Sequence, residues 1–194
     1  MIKHFHTFFN RQNDCNVALR EQYKILESII NVLQKAQKNG KTIFTFGNGG
    51  SGSTASHFVS DLLKTAITKD AKRFAAISLV DNIPVNLAWS NDQSFESIFI
   101  EQLKNFLKPN DVLFAFSGSG NSINVINAIE YAKKNSAVCI GFTGMDGGKL
   151  KNMCDVCITV PSNNMLIIES IHLTICHCII ESIRKSGNPL FKYD

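Results

Sequence analysis

The chain alternates between short continuous apolar runs and longer stretches in which apolar residues recur every three or four positions. Runs of the first kind are typical of buried strands, and the recurring pattern is typical of helices. The apolar runs occupy residues 43–46, 73–80, 111–116, 137–142 and 156–160. Strands that are apolar throughout and alternate with helices form a parallel sheet covered on both faces. The pattern therefore predicts an α/β fold: a doubly wound, five-stranded parallel sheet flanked by helices.

The first long helix is predicted over Val17–Lys38, where apolar residues step by four, three, four and three positions and Gly40 ends the pattern. Its apolar stripe, Leu19–Leu33, is wider than one contact surface needs. We therefore expect this helix to pack against more than one neighbour, in a helical bundle between subunits. The preceding residues, MIKHFHTFF, are too short and too interrupted for a secretion signal, and we expect their aromatic side chains to pack.

The last helix is predicted over Met165–Arg184 and is apolar on almost all sides, which is typical of a buried helix. Glu169, His172 and His177 interrupt the ~18 uncharged residues that a membrane span requires, so we expect no membrane interaction. A buried Glu169 and a buried His177 need partners, because burying an unpaired charge is costly. Two interpretations stay open: a hydrogen bond to a neighbouring helix, or a functional site.

Composition is typical of a soluble protein with one domain. With 194 residues, of which 44% are hydrophobic, we expect a single domain over residues 1–194. The net charge of +4 comes with scattered Lys and Arg, so no nucleic-acid surface is predicted. The six cysteines lie mostly in apolar runs, which favours a reduced, cytoplasmic protein. Cys154 and Cys157 form a CxxC pair without a second pair, so a zinc or redox role for them is not favoured.

Two glycine-rich turns follow predicted strands and precede predicted helices. The first, GNGGSG at residues 47–52, matches neither the dinucleotide nor the nucleoside-triphosphate fingerprint, and a tight connection alone would explain it. The second, SGSGNS at residues 117–122, places three hydroxyl groups beside a helix start, where the helix dipole favours an anion. Neither turn contains Lys or Arg. Hydroxyl and amide donors without Lys or Arg favour binding and release of a sugar phosphate over phosphoryl transfer, which uses a metal ion and a lysine.

His57 and Asp61 are four residues apart on the helix that follows the first turn, so their side chains share one face. Such a pair can bind one ion or one substrate. It can equally be a local hydrogen-bonded pair, and the spacing alone leaves both interpretations open.

Four motifs in order, FGNGGSGSTASHF, SGSGNS, TGMDGGKL and IESIHLTICH, resemble the sugar isomerase (SIS) domain family. Within it they are similar to the phosphoheptose isomerases, and the resemblance runs from the N-terminal helix to Ile183. It implies a cytoplasmic homotetramer with active sites at subunit interfaces. The implied reaction interconverts a ketose phosphate and an aldose phosphate: sedoheptulose 7-phosphate gives D-glycero-D-manno-heptose 7-phosphate for surface polysaccharides.

The resemblance also implies roles for individual residues. Asp61 is the implied catalytic base, and His177 is the implied catalytic acid. Zinc is the implied cofactor, bound through His57, Asp61, Glu169 and His177. The implied substrate-binding residues are Asn48, Gly49, Gly50, Ser51, Asn91, Asp92, Ser117, Gly118, Ser119, Ser122 and Glu169.

The chain departs from the usual residues of those isomerases at several positions. Asp61 replaces Glu and Glu169 replaces Gln, and both keep donor atoms suited to a divalent metal. The other departures are Leu166 and Ile167 for an Asp-Arg pair, Thr65 for Arg, Gly118 for Thr and Thr54 for Asp. These departures bear on which sugar is bound more than on the type of reaction.

Two functions stay open. The first is an aldose–ketose isomerase, which needs a base to move a proton between adjacent carbons and an acid to serve the oxygens. The second is a non-catalytic SIS-domain protein: a phosphosugar sensor, or a protein-binding tetramer that associates with replication initiators. The ionisable set of His57, Asp61, Glu169 and His177 favours the enzyme. Because Glu169 and His177 are eight residues apart, about 12 Å along a helix, we expect one of them to come from a neighbouring chain.

Overall fold

The computed structural model describes residues 2–193. The strands are β1 (Thr42–Gly47), β2 (Ala75–Ser78), β3 (Val112–Phe116), β4 (Val138–Gly144) and β5 (Val156–Val160). They form one parallel sheet in the order β2-β1-β3-β4-β5, which confirms the predicted fold class. β2 is shorter than the apolar run at 73–80 suggests, because it lies at the sheet edge, where Ile77 is exposed.

The helices connect the strands and cover both faces of the sheet. They are α1 (Ile2–Arg20), α2 (Tyr23–Lys38), α3 (Gly49–Ser60), α4 (Ile83–Asp92), α5 (Ile98–Phe106), α6 (Ile123–Lys134), α7 (Gly148–Met153) and α8 (Met165–Lys185). A π-helical turn, Asp61–Thr65, continues α3, and a 3-10 turn, Phe95–Ser97, precedes α5. The sequence pattern did not predict α5 and α7.

Each face of the sheet has its own apolar core. On one face, Phe114, Phe116 and Phe142 pack with buried residues of α1, α2, α3 and α8. On the other face, Phe44 and Phe46 pack with buried residues of α5, α6 and α7. Burial on both faces explains why the central strands are continuous apolar runs instead of alternating ones.

The strand order reverses at β1, which pairs with β2 on one side and with β3 on the other. Gly47 at the end of β1 lies opposite Phe116 at the end of β3. The two glycine-rich turns, which follow these residues, therefore meet at one edge of the sheet. Ligands of open parallel sheets bind at the carboxyl ends of the strands, at such a reversal.

The N-terminal region differs from the expectation in two ways. The single helix predicted over Val17–Lys38 is divided between α1 and α2 at residues 21 and 22. The division lets Leu19 on α1 and Leu33 on α2 reach the same core, so part of the stripe assigned to a subunit interface packs within the chain. The first aromatic residues were expected to pack, but Phe5 and Phe9 do not reach the core of their own chain and are 59% and 64% exposed in it.

α8 is not buried on all sides, contrary to the expectation. Ile171 and Ile175 lie in the core, whereas Leu166 and His177 are exposed. Within residues 2–193, α8 is the one helix that is long and apolar enough to cross a membrane. The expectation that its polar residues exclude a membrane span is therefore wrong. Half of the apolar window is nevertheless buried inside the fold, and a core helix passes the same test.

Candidate active site

Three side chains converge where α3 ends beside α8. His57 lies on the last turn of α3, Asp61 begins the π-helical turn, and His177 lies on α8. The Nε2 atoms of His57 and His177 are 3.0 Å apart, and Asp61 Oδ2 lies 3.4 Å from the first and 3.6 Å from the second. We call these three side chains the triad. Within residues 2–193, they form the one group of His, Cys, Asp and Glu side chains close enough to share a metal ion.

The π-helical turn sets the position of Asp61. The N–H of Ala66 donates to the carbonyl of Asp61 at 2.8 Å, which is the i to i+5 bond of a π-helix. In the same turn the hydroxyl of Thr65 donates to Asp61 Oδ1 at 2.9 Å. One carboxylate oxygen is therefore held by the chain, and the other faces the two histidine rings.

Asp61 Oδ2 is buried and has no hydrogen-bond donor among residues 2–193. A buried carboxylate oxygen without a donor is costly, so its presence calls for a specific explanation. The two histidine side chains beside it are about half exposed, 47% and 53%, and so reach solvent. A metal ion or a transferred proton would satisfy this oxygen.

The geometry of the triad fits a zinc ion. Two ligand atoms at tetrahedral positions around zinc lie about 3.3 Å apart. The three triad separations of 3.0, 3.4 and 3.6 Å are close to this value. Two imidazoles and one carboxylate with a fourth position left open form a donor set of catalytic zinc sites. Glu169, the fourth expected ligand, does not belong to this group.

Glu169 lies about two turns before His177 on α8, beside the N-terminus of α3. A Cβ on Gly50 would lie 2.3 Å from Glu169 Oε2, so the carboxylate packs directly against the backbone of Gly50. The positive end of the α3 dipole favours a negative charge at this point. Gly50 is about 10 Å along α3 from His57, at ~1.5 Å rise per residue. His177 lies beside His57 and Asp61 of its own chain. Of the two residues of which one was expected to come from a neighbouring chain, only Glu169 is left, and its binding to a neighbour's triad stays a prediction.

The hydroxyl groups of the second glycine-rich turn are arranged for an anion. Ser117 Oγ donates to Ser122 Oγ at 3.2 Å, and the N–H of Asn121 donates to Ser119 Oγ at 3.2 Å. Ser119 and Ser122 both accept in these bonds, so their own hydroxyl hydrogens can serve a ligand. The N–H groups of Ile123 and Asn124, the first two residues of α6, add donors that have no partner within the helix. Phosphate binding here stays a prediction with these donors in its favour.

The shape of this turn depends on Gly120 and on the chain beside it. Gly120 has φ +65°, and a Cβ there would lie 2.0 Å from the carbonyl oxygen of Gly147. The N–H of Lys149 donates to Asn121 Oδ1 at 3.1 Å, and the N–H of Gly144 donates to the carbonyl of Gly118 at 2.9 Å. The loop after β4 therefore supports the turn from behind.

The first glycine-rich turn is joined through two amides to the start of α6, the helix that follows the second turn. Asn48 and Asn124 exchange side-chain hydrogen bonds of 2.9 Å in both directions. Gly49 is exposed and Ser51 is buried, 5% exposed. A cavity of about 210 Å³ lies beside this turn, and Asn48, Gly49 and Leu87 are among its lining residues.

Asn91 and Asp92 lie exposed at the end of α4. Their side chains form a hydrogen bond with each other, 2.8 Å from Asn91 Nδ2 to Asp92 Oδ1. Neither bonds to a glycine-rich turn within residues 2–193. Their role in substrate binding stays a prediction.

A cavity of about 290 Å³ opens beside the triad and includes residues that sequence reasoning missed. Its lining residues are Asp61, Thr65, His177, Ile180, Glu181, Arg184 and Tyr193. Glu181 and Arg184 follow the recognised motif as ordinary charged helix residues, and Tyr193 lies near the end of the sequence. No spacing in the sequence indicates that these residues meet Asp61.

The CxxC pair lacks the properties of a reactive site. Cys154 and Cys157 are free thiols that pack against Gly141. Burial raises the pKa of both thiols, so neither is activated as a thiolate. Both side chains are partly buried.

Comparison with known proteins places the chain in a family. The model of the SIS domain matches residues 8–144. The chain belongs to the SIS domain family. This SIS-domain chain is 39% identical over 161 residues to a probable phosphoheptose isomerase of Thermoplasma acidophilum, covering 81% of this chain and 88% of that protein. It is 36% identical over 160 residues to the phosphoheptose isomerase of Clostridium acetobutylicum, covering 82% and 81%.

Solved structures of SIS-domain proteins agree with the observed fold. A phosphoheptose isomerase from Francisella tularensis superposes with a TM-score of 0.89 at 27% identity, covering 95% of this chain and 98% of that one. The phosphoheptose isomerase from Neisseria gonorrhoeae superposes with a TM-score of 0.84 at 28% identity, covering 95% and 96%. The similarity therefore extends over nearly the whole SIS-domain chain.

Proposed function

We propose that this protein is an aldose–ketose isomerase that converts sedoheptulose 7-phosphate to D-glycero-D-manno-heptose 7-phosphate. The observation that carries the proposal is Asp61 Oδ2, a buried carboxylate oxygen without a donor that faces two histidine rings. Isomerisation needs such a base beside a group that can carry a proton to the substrate oxygens. The phosphoheptose isomerases that are 39% and 36% identical support the choice of sugar.

The reaction moves one proton between adjacent carbons. Asp61 Oδ2 removes a proton from C1 of the ketose, and the electron pair of that C–H bond forms the C1–C2 double bond of an enediol while O2 takes up a proton. The carboxyl group then returns its proton to C2, and O1 releases its proton as the C1 carbonyl forms. In the metal-free site, His177, whose Nε2 lies 3.6 Å from Asp61 Oδ2, supplies the proton to O2 and removes the one from O1.

Zinc is the proposed cofactor: His57, Asp61 and His177 would hold it with Glu169 of a neighbouring chain as fourth ligand, and the ion would accept a substrate oxygen as a fifth donor. When bound, the ion supplies Lewis-acid polarisation of the substrate carbonyl. Thr65 holds Asp61 Oδ1 and thereby keeps Oδ2 directed at the histidines. The hydrogen bond from Thr65 also prevents the carboxylate from turning away when a substrate enters.

The substrate phosphate is proposed to bind at the second glycine-rich turn, through Ser117, Ser119 and Ser122. The free hydroxyl hydrogens of Ser119 and Ser122 and the start of α6 support this assignment. The sugar carbons would then extend along the first turn. The residues proposed to contact them are Asn48, Gly49, Gly50, Ser51, Asn91, Asp92, Gly118 and Glu169.

The proposed assembly is a cytoplasmic homotetramer in which one chain's triad works with a neighbour's turn. The ~10 Å between Gly50 and His57 along α3 supports a shared site, because it separates the first turn from the triad within one chain. The exposed Phe5 and Phe9 on α1 support association. Neither nucleic acid nor membrane is a proposed partner, and the product would feed heptose synthesis for surface polysaccharides.

Deuterium exchange tests the proposed function. The purified protein, incubated with sedoheptulose 7-phosphate in deuterated water, should place deuterium on the carbon next to the carbonyl, observed by NMR. Asp61→Asn should remove the exchange, since the amide cannot accept the proton. If the protein binds the sugar phosphate without any exchange, the non-catalytic phosphosugar sensor replaces the isomerase.

A further inference from the structure

The last residues of the chain fold back against the segment that follows the π-helical turn. The N–H of Lys69 donates to the carbonyl of Asn188 at 2.8 Å, and the N–H of Leu190 donates to the carbonyl of Ile67 at 2.9 Å. Thr68 and Pro189 form an antiparallel bridge between these two bonds. Residues 187–193, the C-terminal segment below, are therefore attached to the part of the chain that carries Asp61.

Arg184 ties this segment to the triad region. Its side chain is buried, and its two terminal nitrogens donate to the carbonyls of Thr65 and Phe191, both at 2.9 Å. Its Nε lies 3.4 Å from a carboxylate oxygen of Glu181. Thr65 in turn donates to Asp61 Oδ1. A continuous set of bonds thus runs from the C-terminal segment through Arg184 and Thr65 to the carboxylate.

Tyr193 is held at the mouth of the cavity beside the triad. Its ring stacks on the Arg184 guanidinium at 4.5 Å, and Lys64 lies over the same ring at 4.8 Å and donates to its hydroxyl. Tyr193 lines the cavity of about 290 Å³ together with Asp61 and His177 and is 57% exposed. Two cations therefore hold the Tyr193 ring in place beside the cavity.

We propose that the C-terminal segment forms the outer wall of the active-site cavity and that Tyr193 contacts the sugar there. The inference rests on the proposed function, because it takes the cavity beside Asp61 as the place where the reacting carbons lie. The Tyr193 hydroxyl accepts a hydrogen bond from Lys64, so its own hydrogen stays available to donate to a sugar oxygen. The exposed part of the side chain, with its apolar ring edge and its O–H group, suits the C–H and O–H groups of a polyhydroxylated chain. Such a wall limits the room beyond C1 and favours a ketose that ends in a small hydroxymethyl group.

Binding measurements on three variants test the proposal. Tyr193→Ala removes the wall, Tyr193→Phe removes only the hydroxyl, and Lys192→Ala is the matched control, because Lys192 lies in the same segment but does not line the cavity. We expect Tyr193→Ala to raise the Kd of sedoheptulose 7-phosphate, measured by calorimetry, by about tenfold. Tyr193→Phe should raise it by about fivefold, the usual value of one hydrogen bond. Lys192→Ala should leave it unchanged, and thermal melting checks that all variants fold.

A second readout separates this proposal from the proposed function. Co²⁺ bound at the triad and challenged with the chelator EDTA should be released faster from Tyr193→Ala than from Lys192→Ala, because the wall no longer hinders access. If the wild type binds no sedoheptulose 7-phosphate, the proposed function fails. If Tyr193→Ala and Lys192→Ala release Co²⁺ at the same rate, the proposed wall is overturned, whether or not the sugar binds. If the wild type binds the sugar but Tyr193→Ala has the Kd of Lys192→Ala, the contact between Tyr193 and the sugar is overturned.

Discussion

At the level of single residues, the two oxygens of the Asp61 carboxylate have different environments. Oδ1 accepts a hydrogen bond from Thr65, whereas Oδ2 is buried, without a donor, and faces two imidazoles. A side chain held at one oxygen keeps the other in place, which is what a catalytic base or a metal ligand requires. Among residues 2–193, no other carboxylate oxygen is buried without a hydrogen-bond partner.

Ser119 is expected to contribute strongly to phosphate binding. Its hydroxyl accepts from the N–H of Asn121, so its hydrogen is free for an anion. A hydrogen bond to a charged group is worth about 1.5–3 kcal/mol, so Ser119→Ala should raise the Kd of a sugar phosphate by about tenfold to a hundredfold. Calorimetric titration measures this change.

Ser28→Ala is the matched control for this variant. Ser28 lies on α2, where its hydroxyl donates only to the carbonyl of Lys24. The control should bind sugar phosphate with the wild-type Kd. Equal affinities for Ser119→Ala, Ser28→Ala and wild type would place the phosphate away from the second turn.

His172 makes the stability of the fold depend on pH. The ring is fully buried against Phe116 and Phe142, and its Nε2 donates to the carbonyl of Thr143 at 3.0 Å. Burial lowers the pKa of His172 to about 4. As the pH falls, the His172 ring becomes protonated near pH 6.5 in the unfolded chain but only near pH 4 in the folded chain. Protonation therefore favours the unfolded chain, and the free energy of unfolding should fall by up to about 3 kcal/mol between pH 6.5 and pH 4.

Urea unfolding of metal-free protein at pH 7 and at pH 5 checks this prediction. His172→Gln keeps a donor for the carbonyl of Thr143 but has no titrating group, so its stability should depend less on pH than that of the wild type. Carboxylates titrate alike in both proteins and cancel in the comparison. The same loss of stability in His172→Gln would show that another group is responsible.

At the level of elements, the sequence predicted those whose burial has a simple pattern. β1, β3 and β4 are buried on both faces, so their apolar runs mark them clearly. The edge strand β2 and the short helix α7 carry weaker patterns, because fewer of their residues are buried. α8 misled the interpretation since apolar residues such as Leu166 also occupy its exposed face. Composition alone does not distinguish an apolar residue that faces the core from an apolar residue that is exposed on the surface of the chain.

The exposed face of α1 is expected to hold subunits together. Ile2, Phe5 and Phe9 follow at helical spacing and are 72%, 59% and 64% exposed. We expect a tetramer in sedimentation at micromolar concentration, and Phe5→Ser with Phe9→Ser should shift it toward smaller species. Phe106→Ser, at an equally exposed phenylalanine on α5, should leave the assembly intact. A wild type that sediments as a monomer would contradict the role assigned to α1.

At the level of the whole molecule, the sequence identified the ionisable residues of the site but not their grouping. The spacing of His57 and Asp61 predicted one shared face, and the structure adds His177 from the same chain. Glu169, eight residues before His177, lies beside Gly50 instead. Arg184 and Tyr193 reach the cavity through the path of the C-terminal segment, which depends on tertiary contacts and leaves no local pattern in the sequence.

Mixed assemblies test whether one site draws on two chains. Asp61→Ala destroys the triad, and Ser119→Asp places a carboxylate where the phosphate is expected to bind, so each variant alone should be inactive. If the triad of one chain works with the turn of another, tetramers containing both variants keep some intact sites, up to about a quarter for random mixing in a symmetric assembly.

The matched control for this experiment combines Asp61→Ala with His177→Ala. Asp61 Oδ2 and His177 Nε2 lie 3.6 Å apart within one chain, so no mixed tetramer of these variants contains an intact triad, and the mixture should stay inactive. Recovery in the first mixture alone would assign the triad and the turn to different chains. If mixed tetramers form but neither mixture recovers activity, the triad and the turn of a single chain must complete the site. The substrate would then have to extend past the first turn, which itself lies ~10 Å from His57 along α3.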